Sequence, residues 1–125
     1  MDLPPPTPQL VAAPLRITAL TKRFGDTLAL ADLTLTVPHG ACYGLVGPNG
    51  SGKSTTMRTV VGLTRADSGT VEVCGIRTDV DIIGVRRAMG VMLDPLQLFD
   101  RLSAREFVST IGELRGLDAE VVAAR

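Results

Sequence analysis

The stretch Gly47-Pro48-Asn49-Gly50-Ser51-Gly52-Lys53-Ser54 constrains this chain more than any other, because it fits the pattern GxxxxGK[ST]. At ordinary residue frequencies, a chain of this length matches that pattern by chance on the order of once in 200. Physical chemistry asks for each of its parts. Polyphosphate oxygens must come close to main-chain amides, and glycines at 47, 50 and 52 permit positive φ and leave room for that approach. Successive amides then point into a concavity, and a helix starting there adds the positive end of its dipole. Lys53 brings a compact full charge suited to the β and γ phosphates, which a planar guanidinium would fit differently. The Ser54 hydroxyl is a hard oxygen ligand suited to Mg²⁺. The rival dinucleotide fingerprint GxGxxG fails, since Gly44, Gly47 and Gly50 are spaced by threes.

The context fits the loop. Residues 41–46 (ACYGLV) form a short, nearly continuous apolar run, as expected of a strand covered on both faces. A helical stretch is expected from Lys53 to Val61. Upstream, Leu15, Ile17 and Ala19 alternate with Arg16, Thr18 and Leu20, which predicts a strand. Residues 28–37 predict a second, with Leu33, Leu35 and Val37 on one face and Thr34 and Thr36 on the other. Pro38-His39-Gly40 is turn chemistry, and His39 reads as an exposed turn residue. Ser68-Gly69 opens a further strand over 70–74, closed by Gly75, and a short helix is expected around Val85-Arg86-Arg87. Residues 90–93 read as a strand ended by Asp94-Pro95. Ser103 and Glu106 form a capping box, opening a helix that carries Phe107, Val108, Ile111 and Leu114 at helical spacing. Asp118 caps a final helix. Strands interleaved with helices predict the α/β class with a partly parallel sheet.

Composition removes several alternatives. The chain has 125 residues, 45% of them apolar, which suits one globular domain. Thirteen Lys+Arg balance thirteen Asp+Glu, so a strongly basic nucleic-acid surface is excluded. Two cysteines, Cys42 and Cys74, do not make a disulfide framework; both read as small core residues. No apolar run approaches the roughly 20 residues that cross a bilayer. Five prolines fall within residues 1–14, predicting an extended, disordered tail ahead of the domain at 15–125.

The P-loop sequence GPNGSGKST (47–55) follows ALADLTLTVPHGACYGLV (29–46) and precedes VVGLTRADSGTVEVCGI (60–76). Together they resemble the nucleotide-binding domain of ABC transporter ATPases, from about Arg16 onward. The resemblance implies an α/β P-loop NTPase fold with an antiparallel β subdomain. It implies ATP and Mg²⁺ as ligands, with Gly47, Pro48, Asn49, Gly50, Ser51, Gly52, Lys53, Ser54 and Thr55 around the phosphates. Phe24, in LTKRFG, occupies the position of the family's adenine-stacking aromatic residue. The family's Q-loop glutamine, an Mg²⁺ ligand, falls on Asp94 in MGVMLDPLQLFDRLSAREF (89–107), leaving Gln97 as a surface residue. Asp94 offers the metal an oxygen with a shorter reach.

The signature loop, Walker B strand, catalytic glutamate and switch histidine of the family have no counterpart in these residues. The resemblance is therefore to the front portion of such a domain, and catalytic residues stay unassigned. It further implies a membrane-spanning partner subunit, a second ATP-binding domain, and a cytoplasmic place at the inner face of the membrane. The wording LFDRLSAREF resembles exporter-type subunits. Two other readings stand beside this one: a DNA-maintenance ATPase of SMC or RecF type, and a non-catalytic nucleotide-binding module.

Overall fold

The computed structural model describes residues 13–92 and 102–124, which form two compact units divided after Gly90. Of the tail expected over residues 1–14, residues 1–12 lie outside the described residues, as do Leu93, Asp94 and Gln97. Pro14 is described, and its carbonyl accepts the Cys74 N–H at 2.9 Å.

The first unit is built on a hairpin. Strand β1 (Leu15–Phe24) and strand β2 (Thr27–Val37) pair antiparallel across the turn Gly25-Asp26. Strand β3 (Ser68–Val73) pairs antiparallel with the other edge of β1, and the short β4 (Ile76–Arg77) pairs with β3. The sheet order is β2-β1-β3-β4 with every pair antiparallel; this is the antiparallel β subdomain that the family resemblance implies, and among the described residues no parallel pair accompanies it. Leu15 and Ile17 turn inward as expected, but the next buried residue is Leu20 and not Ala19.

A matched pair of irregularities moves the alternation. Ala19 and Asp32 both take left-handed backbone, at φ 50° and 49°. The Ala19 N–H donates to the Thr34 hydroxyl at 2.9 Å, and the Asp32 N–H donates to the Thr21 hydroxyl at 3.2 Å. Each amide displaced from the ladder is thus met by a threonine on the opposite strand. The register slips between Ile17 and Leu20, which brings Leu20 opposite Leu33 on the core side. Gly69 in β3 (φ 85°) leaves room for this bulge, since a Cβ there would collide with the main chain at Thr18 and Ala19.

Helix α1 (Lys53–Val60) and helix α2 (Ile82–Ala88) complete this unit. Half of α1 is β-branched (Thr55, Thr56, Thr59, Val60), a composition with little helical preference of its own. Packing supplies what propensity does not: Thr56, Thr59 and Val60 are buried. The two threonine hydroxyls donate back to the carbonyls of Gly52 and Thr55, at 2.9 and 2.8 Å, so their burial leaves no unmet polar group. Asp81 caps α2 by accepting the Gly84 N–H at 2.8 Å. Arg86 of α2 donates to the carbonyls of Val61 and Gly62, placing a cation at the C-terminal end of α1. The core comprises Ile17, Leu20, Leu30, Val60, Val71, Val73 and Val85. Fully burying an aliphatic side chain of this kind contributes about 1.5–3 kcal/mol.

Three expectations are corrected. Residues 41–48 carry no regular secondary structure; Val46 is 93% exposed, and Tyr43 and Leu45 also face solvent. A strand is made by its neighbours' hydrogen bonds, and among the described residues none pairs with this run. Cys42 is consequently exposed and not a core residue, while Cys74 is half-buried. The strand expected over 90–93 is likewise absent through Met92.

The second unit holds helix α3 (Ala104–Leu114) and helix α4 (Ala119–Ala123), packed on each other. The capping box at the start of α3 forms as predicted. The Glu106 N–H donates to the Ser103 hydroxyl at 3.3 Å, and the Ser103 N–H donates to the Glu106 carboxylate at 2.8 Å. The Ser103 hydroxyl, donating to the same carboxylate at 2.6 Å, and then the Ser103 N–H hold the Glu106 carboxyl below its ordinary pKa.

Candidate phosphate-binding site

Residues 47–52 form the turn that delivers the chain into α1. The Ser51 N–H donates to the Pro48 carbonyl at 3.2 Å, closing a turn over Asn49-Gly50. Gly52 is the N-cap of α1 at φ 92° and ψ 0°, a backbone conformation that disfavours any side chain. Its position is crowded as well: an added Cβ would lie 2.6 Å from the Ala29 carbonyl oxygen and 2.7 Å from Leu30 Cδ2. The loop is therefore seated directly on β2, and only glycine permits that seat.

No side chain caps α1. The first amides of a helix have no intrahelical acceptor, so this end offers donors to an outside anion. The Lys53 ammonium reaches back across the loop, donating to the carbonyls of Gly47 at 2.6 Å and Pro48 at 2.7 Å, with Ser51 Oγ at 3.4 Å. A cation at the mouth of a turn of glycine amides is a donor set for an anion with several oxygens. Gly47 tightens the ring, since a Cβ at that position would lie 2.6 Å from Ser51 Oγ. Asn49, Gly50 and Ser54 are exposed, and Thr55 is half-buried. The residues present fit a polyphosphate, and the exposed Ser54 hydroxyl fits a hard cation accompanying it.

Phe24 stands at the end of β1, 52% exposed, so it is not the core residue that an apolar side chain in a strand would ordinarily be. The β-ladder connects it to the loop. Lys22 is the register partner of Leu30, and Leu30 is the residue against which Gly52 packs. Phe24 and the loop therefore share one end of the β1–β2 hairpin. The Lys22 ammonium lies over the Phe24 ring, 5.3 Å from its centroid.

A third group converges on the same strand end, one that sequence reasoning did not single out. Asp67 accepts from Lys22 Nζ at 3.0 Å and from the Arg23 N–H at 2.6 Å, and its own N–H donates to the Thr21 carbonyl at 3.0 Å. The Arg23 amide, then the Lys22 ammonium, hold its carboxyl below the ordinary value of 3.8. These partners lie more than 40 residues apart in the chain, beyond the reach of any local pattern. Asp94, the remaining residue expected at the metal, lies outside the described residues.

Comparison with known proteins places these features in company. The family model described as "ABC transporter" matches residues 30–124. The Nod factor export ATP-binding protein I of Burkholderia lata is 38% identical over 86% of this chain, and that of Ralstonia nicotianae is 34% identical over 97%. Among solved structures, an ATP-binding subunit of an ABC transporter superposes with a TM-score of 0.76 at 27% identity. It covers 83% of this chain and 43% of its own. An ATP-binding cassette solved as a dimer in a post-hydrolysis state, bound to ADP and Pi, gives a TM-score of 0.74 at 25% identity. It covers 88% of this chain and 53% of its own. The chain spans less than two-fifths of the length of the two curated relatives, 36% and 38% respectively.

Proposed function

Because this chain belongs to the ABC transporter family, we propose that its loop at 47–55 binds the triphosphate of ATP, together with Mg²⁺. In this reading it is the ATP-binding portion of a transporter subunit. The observation that carries the proposal is the seat of the loop. Gly52 lies hard against β2, no side chain caps α1, and the Lys53 ammonium spans the turn. Main-chain amides of Gly50, Gly52 and Lys53 bind the phosphate oxygens, and Lys53 neutralises charge at the β and γ positions. Gly47, Pro48 and Asn49 set the width of the turn, and Thr55 adds a hydroxyl at the first turn of the helix. Ser54 and Asp94 supply oxygen ligands to Mg²⁺, which neutralises phosphate charge when bound. Phe24 stacks on adenine.

The full subunit, in this proposal, couples ATP hydrolysis to export across a membrane, working with a membrane-spanning subunit and a second ATP-binding domain. The export names of the relatives in Burkholderia lata and Ralstonia nicotianae support the direction. Among the described residues no helix is long and apolar enough to cross a membrane. A peripheral cytoplasmic position, provided by the partner subunit, belongs to the same reading. Domain limits follow the same reading: a tail over 1–14 and the nucleotide-binding portion over 15–125.

Calorimetric titration with MgATP tests the proposal. Lys53→Ala removes a full charge aimed at the phosphates, and a charge-assisted hydrogen bond contributes about 1.5–3 kcal/mol. The expected result is a loss of affinity of at least tenfold with the fold unchanged by circular dichroism. Equal affinity for the two proteins would remove the loop from the binding site.

A further inference from the structure

We infer that Asp67 is a positioning residue for the base-binding side of the nucleotide site, acting through the last residues of β1 on Phe24. The inference rests on the stacking role proposed for Phe24. Its basis is the convergence of three bonds. Asp67 takes the Arg23 N–H at 2.6 Å and Lys22 Nζ at 3.0 Å, and gives its own N–H to the Thr21 carbonyl at 3.0 Å. Residues 21, 22 and 23, the three that precede Phe24, are thereby fixed from a single residue outside the strand.

The need for such a clamp follows from where Phe24 sits. It pairs with Thr27 as the last rung of the hairpin, beside the Gly25-Asp26 turn, where strand ends fray. Its ring is half-exposed and lacks the packing that orients a core aromatic residue. Flat stacking requires a held ring plane, and Asp67 supplies the hold twice over. The bond from the Arg23 amide sets the backbone one residue before Phe24. The bond from Lys22 keeps the ammonium over one face of the ring and leaves the other for a planar ligand. The Lys22 side chain is only 15% exposed, so the ammonium is partly withdrawn from water, where a cation–π contact has more force. Asp67 also lies on the connection between α1 and β3. Its carboxylate therefore ties the end of that connection to the last residues of β1.

The experiment compares affinity for MgATP with affinity for inorganic tripolyphosphate, measured on the full chain for four proteins: the parent, Phe24→Ala, Asp67→Asn and Asp67→Ala. Tripolyphosphate reports the phosphate loop alone, and the ratio of the two affinities reports the base. Loss of a stacking partner corresponds to roughly tenfold or more in affinity, so Phe24→Ala lowers MgATP binding by about that factor. Asp67→Ala is expected to lower it about three- to tenfold while tripolyphosphate affinity stays unchanged. Asp67→Asn, which keeps an oxygen for the Arg23 amide, is expected to fall between. Should the alanine variant fail to fold, the asparagine variant decides.

Equal losses for both ligands would make Asp67 merely structural and overturn the inference, as would parent-like MgATP affinity in the Asp67 variants. If Phe24→Ala weakens MgATP binding and the Asp67 variants do not, positioning fails and stacking stands. If Phe24→Ala changes nothing, the stacking reading falls and takes this inference with it.

Discussion

Gly52 and Gly50 allow the seat of the phosphate loop to be measured separately from its backbone conformation. Both have positive φ, 92° and 84°. A Cβ at Gly50 would meet open space, whereas one at Gly52 would fall 2.6 Å from the Ala29 carbonyl oxygen and 2.7 Å from Leu30 Cδ2. Left-handed backbone costs a non-glycine residue roughly 1–2 kcal/mol. Gly50→Ala therefore carries at most that amount, and less in global stability, because an exposed turn can yield locally. Gly52→Ala carries the same backbone term plus the collision, and the Ala29 side of it is the main chain of β2, which cannot swing aside as a side chain would. Overpacking of this kind adds about 1–3 kcal/mol.

The expected totals are thus below about 2 kcal/mol for Gly50→Ala and about 2–5 kcal/mol for Gly52→Ala. The second is a large share of a typical domain's 5–15 kcal/mol. Urea denaturation followed by circular dichroism reads the difference as a lower midpoint for Gly52→Ala with an unchanged slope. Indistinguishable midpoints for the two variants would refute the claim that the loop is seated against β2. The binding assay then adds a second axis, because Gly50→Ala leaves the fold nearly intact while altering the cradle itself.

Three further outcomes follow from the hydrogen bonding. Because the Asp67 carboxyl is held below 3.8 by the Arg23 amide and Lys22, its contribution is fully present above the ordinary carboxylate pKa. It is lost as pH falls below 3.8 through the lowered folded value. A melting-temperature series should therefore show the parent ahead of Asp67→Asn at neutral pH, with the gap closing in acid; a gap of constant size would contradict the ion-paired carboxylate. Ser103→Ala should cost α3 about 1 kcal/mol, read as faster amide exchange in its first turn, and unchanged protection there would deny the capping box. Ala19→Gly relieves a left-handed alanine and should raise stability by up to about 1 kcal/mol, whereas a clear loss would show that the bulge is not strained.

Where a feature is specified by adjacent residues, the sequence was legible. The P-loop turn and the helix it opens, the strands β1, β2 and β3, α2 and the Ser103–Glu106 box are each signalled by a motif, an alternation or a turn residue close by in the chain. The bulge at Ala19 was not legible, because it depends on Thr34 meeting an amide 15 residues away. Alternation alone therefore assigned the inward place to Ala19 when Leu20 holds it. The run at 41–46 was misread for a related reason. Apolar composition records a demand for burial, but strand geometry needs a partner ladder, and none among the described residues provides one. At the site, the loop residues announced themselves through a motif, and Phe24 through family resemblance. Asp67 gave no local sign, since its partners at residues 22 and 23 come to it only through the folded sheet.

The β-branched makeup of α1 reaches beyond packing. A helix of eight residues with three threonines would not hold together in water as a free peptide. Its rigidity is borrowed from the sheet beneath it, so the anion-gripping geometry comes into being in the same cooperative event that closes the hydrophobic interior. An unfolded chain accordingly has no residual grip on nucleotide. Any ligand that occupies the loop then acts on the whole first unit at once, slowing its proteolysis and adding stability in proportion to the logarithm of ligand concentration.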